Sequence, residues 1–117
     1  TRKYGVNALA FRMLHHENFF LADADCIGIM GQIDWKMNRE WMTAVAYSGT
    51  PMFVSPKPGV MSEEETAELK EAYRVNSIQE DVLVPLDWME NVTPEKWLLN
   101  GEEKRFNWYE QAGIKAF

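Results

Sequence analysis

Apolar residues recur at Val6, Leu9, Met13 and Leu14, with Ala10 between them. That three/four spacing predicts an amphipathic helix over residues 2–16. His15 and His16 close it, where a group able to carry positive charge suits the helix dipole. The pattern then becomes an unbroken run, Phe19-Phe20-Leu21-Ala22. This run breaks into two carboxylates, Asp23 and Asp25, and then into Gly28 and Gly31. A buried strand at 19–24 ending in a polar, glycine-bearing loop is the expectation.

A second helix follows, with Asp34 or Asn38 as N-cap and Trp35, Trp41, Met42 and Val45 able to share one buried side. Gly49 stands where a left-handed residue ends a helix. Thr50-Pro51-Met52-Phe53-Val54 then predicts a short strand at 51–54, with Pro51 tolerated at its start. Strand, helix and strand over about 35 residues have the size of a parallel βαβ unit. Both strands lead into polar loops, the second being Ser55-Pro56-Lys57-Pro58-Gly59. In α/β proteins ligands bind where loops at the carboxyl ends of parallel strands converge.

Ser62 with Glu65 three residues on is a capping box, and Glu63, Glu64 and Glu65 complement the dipole of a third helix. Leu69, Ala72 and Tyr73 give it a modest apolar face, and its pattern fades near Asn76. From Ser77 the chain turns extended. Asp81 to Trp88 is one such run, and Asn100-Gly101 between 96–99 and 104–109 predicts a hairpin. A boundary near Asn91 to Thr93 divides the chain into 1–91 and 92–117.

Composition narrows the function. The 117 residues are 46% hydrophobic and 13% aromatic, enough for a packed core. A net charge of −6 without a basic block argues against nucleic acid as a partner. No apolar run is long enough to span a bilayer. The single cysteine, Cys26, precludes an internal disulfide. Thr1-Arg2-Lys3-Tyr4 already reads as helix, as if the sequence starts within a longer polypeptide.

Asp23 and Asp25 lie two apart, so on a strand their side chains share a face, with Cα atoms roughly 6–7 Å apart. A retaining glycosidase places its two carboxyl groups about 5–5.5 Å apart on opposite sides of the sugar bond. Neighbours on one strand reach a sugar from one side only, which excludes them as a catalytic pair. Two readings stay open: they bind sugar hydroxyls, or they cap the following turn through Asx hydrogen bonds. Asp23, Asp25, Gly28 and Asp34 also imitate an EF-hand loop. Ile27 stands where an oxygen ligand is needed, however, and the final ligand is not Glu. His15, His16 and Cys26 lack zinc-ligand spacing. Two acids beside Cys26 disfavour its thiolate and hence a nucleophilic role. Trp88, Trp97 and Trp108 read as core or interface before they read as sugar-stacking platforms.

Phe19-Phe20-Leu21-Ala22-Asp23-Ala24-Asp25-Cys26-Ile27-Gly28-Ile29, Asn38-Arg39-Glu40-Trp41 and Ser48-Gly49-Thr50-Pro51-Met52-Phe53-Val54-Ser55 together resemble the last part of a melibiase-type α-galactosidase, in its bacterial branch. Met61-Ser62-Glu63-Glu64 matches the helix start that follows in that clan. The likeness runs from Phe11 to Trp108. It implies an α/β fold: the last βα units of a (β/α)8 barrel in 1–91, with strands 19–24 and 51–54 as the seventh and eighth. The start of a C-terminal antiparallel β-domain would follow in 92–117.

The resemblance also implies a retaining glycoside hydrolase acting on galactosides. Its two catalytic aspartates lie on earlier strands, so this chain supplies only the pocket wall: Asp25, Cys26 in place of the usual Met, and Asp23. No metal or cofactor is implied. The remainder of the barrel in cis, or self-association, would cover the exposed strand edges. A periplasmic or secreted location fits that branch. The alternative is a non-catalytic carbohydrate-binding or structural, oligomerising α/β domain.

Overall fold

The computed structural model describes residues 2–109, with only the backbone of Arg2. Helix α1 (Arg2–Arg12) runs into a single 3₁₀ turn, Met13–His15. Val6, Leu9, Ala10 and Met13 are buried, as the spacing predicts. Strand β1 (Cys26–Ile29) and strand β2 (Phe53–Pro56) pair in parallel, Cys26 opposite Phe53 and Ile29 opposite Pro56. Helix α2 (Trp35–Ala46) makes the crossover between them. Asp34 is its N-cap, accepting from the Lys36 N–H at 2.9 Å. Asn38 is instead buried and donates to the Gly28 carbonyl at 3.2 Å, pinning α2 to β1. Met42 and Val45 are buried, while Trp35 and Trp41 are half-buried against the core.

Helix α3 (Glu63–Ile78) opens with both hydrogen bonds of the Ser62/Glu65 capping box. It ends at Ile78, close to the expected Asn76, with a left-handed Gln79 as C-cap. The Asn76 side chain donates to the Ala46 carbonyl at 3.2 Å and the Thr50 carbonyl at 2.8 Å, which ties this end of the helix to the α2–β2 connection. On its exposed face the hydrogen bond from Arg74 holds the Glu71 carboxyl below its ordinary value. Glu68 joins α3 to α2, accepting from the Trp35 indole at 2.9 Å and pairing with Arg39 at 3.3 Å.

Strands β3 (Val84–Pro85), β4 (Lys96–Leu99) and β5 (Glu102–Arg105) form an antiparallel sheet in that order. The β4–β5 hairpin turns at Asn100 and Gly101 with φ of 53° and 77°. Two consecutive positive φ values are what a tight hairpin of this twist requires. Leu83, Trp97, Leu99 and Trp108 join Val6, Ile27, Val45 and Met52 in one buried cluster. The core therefore extends across residue 91. Both indoles donate to the Pro94 carbonyl, from Trp97 at 2.8 Å and Trp108 at 2.7 Å, which satisfies buried polar groups.

The expected closing βα units of a (β/α)8 barrel are not what forms. Among the described residues, three α-helices and two small sheets make a compact α/β unit, with too few helices for those barrel units. The parallel part has two strands, at 26–29 and 53–56 rather than 19–24 and 51–54. The Phe19–Ala22 run is not a buried strand: Phe19 is 80% and Leu21 79% exposed. The strand signal lies later, in the alternation that buries Ile27 and Ile29 and exposes Cys26 and Gly28.

Candidate functional site

A cleft of about 420 Å³ lies between α1 and the segment that leads into β1. Gly5, Ala8, Leu9, Arg12 and Met13 form the helical wall. Gly5, Ala8 and Arg12 are spaced three and four apart, so they share a helix face. The first two are small, which leaves room beside the helix. Gly5 is also a close-approach position: a Cβ there would meet the Trp41 ring at 3.0 Å. Phe20, Leu21, Ala22, Asp23, Ala24 and Asp25 form the facing wall, and Thr50 lies at the base.

The facing wall is held by local hydrogen bonds. The chain leaves the 3₁₀ turn with Asn18 and Phe19 both donating to the His15 carbonyl, at 3.1 and 3.0 Å. The Glu17 N–H donates to the Phe20 carbonyl at 3.0 Å, with Glu17 at φ 61°. The Ala22 N–H donates to His16 Nδ1 at 2.9 Å. Asp23 Oδ1 accepts from the Asp25 N–H at 2.8 Å, and Asp25 Oδ1 accepts from the Cys26 N–H at 2.7 Å. These bonds suit Asp25 to its left-handed φ of 65°, a conformation that Asp tolerates better than most residues. At the base, the buried Thr50 hydroxyl is 2.8 Å from that of Ser48, and the Thr50 carbonyl accepts from Asn76.

Both aspartates are exposed at the mouth. Each commits Oδ1 to the turn, and Oδ2 of each has no partner among the described residues. The turn-capping and ligand-binding readings are therefore compatible. Both carboxylates come from one segment and approach the cleft from one side, which is unsuited to an acid/nucleophile pair. Cys26 is exposed at the start of β1 but does not line the cleft. Sequence reasoning expected the mouth at the carboxyl ends of the strands. In the structure Asp25 immediately precedes β1 and Thr50 precedes β2, so the cleft lies at the amino ends of the pair.

His15 and His16 hold the turn. The His15 ring packs edge-on to Phe19, with centroids 5.6 Å apart. Trp97 and Trp108 are fully buried in the core, and Trp88, half-exposed, packs edge-on to Phe11. Arg12, Leu9, Met13 and Thr50 were missed as cleft residues. Only the shared face of Gly5, Ala8 and Arg12 carries a signal for them in the sequence. Comparison with protein-family models, with curated proteins and with solved structures found no match.

Proposed function

We propose that the cleft beside Asp23 and Asp25 binds carbohydrate of the galactoside class. On this reading the chain contributes a wall of the sugar pocket of a retaining α-galactosidase-like glycoside hydrolase, without the catalytic carboxylates. The observation that carries the reading is the pair of Oδ2 atoms, without partners among the described residues, at the lip of a cleft with a mostly apolar lining. Sugars present hydroxyls to accept from and C–H faces to bury, and a cavity of this size accommodates a small ligand. The motif resemblance around Asp23, Thr50 and Ser62 supplies the galactoside class. Calorimetric titration with methyl α-galactoside tests the proposal. Binding that Asp23→Asn weakens by roughly tenfold, the scale of one hydrogen bond to a charged group, supports it. No heat with any galactoside at tens of millimolar overturns it.

A second reading, self-association without a ligand, is favoured by a different observation. Leu14, Phe19 and Leu21 are 76%, 80% and 79% exposed, more apolar surface in one stretch than a solvent-facing turn usually shows. Light scattering across a concentration series separates the two, since self-association alone raises the mass.

A further inference from the structure

We propose that His16 is a pH-operated latch on the cleft wall. The latch is a property of the turn itself, and its effect on sugar affinity rests on the reading given above. His16 lies six residues before Ala22, and its side chain is 12% exposed. Its Nδ1 accepts the Ala22 N–H at 2.9 Å. This is the only side-chain bond among the described residues that ties the turn at 16–17 to the middle of the facing wall. The wall is also tied by backbone bonds from Asn18, Phe19 and Phe20 to the His15 carbonyl, by the bond from Glu17 to the Phe20 carbonyl, and by the aspartate turns further on.

Accepting at Nδ1 fixes the protonation state. The ring must be neutral with its proton on Nε2, the nitrogen that faces Glu17 Oε1 at 4.0 Å. When a proton binds Nδ1 the lone pair is consumed, and an N–H then points at the Ala22 N–H. The bond is lost and a part-buried amide is left without its acceptor. Other titratable groups of the elements that meet here are Arg12 and His15 from the α1 side and Asp23 and Asp25 from the cleft wall. His15 Nδ1 is buried with no hydrogen-bond partner, so it offers the wall no competing tie.

The sign follows from the latched form being the neutral one. The latch is present while Nδ1 carries no proton and is lost when a proton binds there, which releases the wall. Leu21 and Ala22 lie on the stretch that is released, between the backbone bonds at Phe20 and the turn at Asp23, and both line the cleft. Galactoside affinity accordingly falls when His16 is protonated.

The test is amide hydrogen exchange of the full chain without sugar, read at Ala22 by NMR and corrected for the intrinsic pH dependence of exchange. Protection should fall by roughly tenfold from pH 8 to pH 5, the scale of one lost hydrogen bond. His16→Asn keeps an acceptor near the Nδ1 position that does not titrate, and should flatten the profile. Unchanged protection in the wild type, or the same fall in His16→Asn, overturns the latch. The wild type provides a second readout that needs no variant. Imidazole ¹⁵N shifts at pH 8 should show His16 as the Nε2–H tautomer, and a proton on Nδ1 overturns the proposal. Because exchange is read without ligand, loss of the sugar reading leaves the latch testable, and loss of the latch leaves sugar binding testable.

Discussion

At the scale of single residues, the side chains that were legible are those whose partners lie within four positions. Ser62 with Glu65, and Asp34 at the start of α2, do what their spacing predicts. The side chains that shape the cleft were not legible because they act over longer intervals. Ala22 reaches His16, and Asn76 reaches Ala46 and Thr50 thirty and twenty-six residues away. Asn76 shows what such a bond is worth. Its amide serves two backbone carbonyls at the junction of α2, the cleft floor and α3. Asn76→Ala leaves both without that donor and should cost about 1–3 kcal/mol, read as a lowered urea midpoint at unchanged slope. The sequence left two options open for Asp23 and Asp25, turn capping and the ligand-binding role proposed above. The structure shows that one oxygen can make the turn while the other stays available.

At the scale of elements, α1, α2, α3 and the β4–β5 hairpin stand where periodicity and turn chemistry place them. The first strand does not. Four consecutive apolar residues, Phe19–Ala22, outweighed the shorter alternation at 26–29. An unbroken apolar run does not by itself say that it is buried. The shift matters because it moves Asp23 and Asp25 from the carboxyl end of a strand to its amino end. The inference that the mouth lies with the loops following the strands fell with it. For α3 the physical account is local, so its prediction is local. Ser62→Ala removes the side-chain acceptor for the Glu65 N–H and should destabilise the protein by about 1 kcal/mol. Ser62→Asp should restore most of it. Thermal melts of the two variants side by side check this, and equal losses in both would mean that the capping box contributes nothing.

At the scale of the whole molecule, the antiparallel sheet and the parallel pair share one core. Trp97 and Trp108 meet at Pro94 and pack with residues from α1, α2 and β1. Trp97→Ala should therefore cost about 3–5 kcal/mol and weaken the entire fold in one transition, with α1 and the hairpin melting together. A hairpin that melts alone would show two separately stable parts. The cleft, built from α1, the lead into β1 and the base of β2, sits against that shared core. The measurement that tests the central claim most directly is an amide chemical-shift map of the ¹⁵N-labelled protein titrated with methyl α-galactoside. The account predicts saturable shifts centred on Ala22–Cys26, with smaller ones at Ala8, Arg12 and Thr50. Shifts confined to any other surface, or none at saturating sugar, would contradict it.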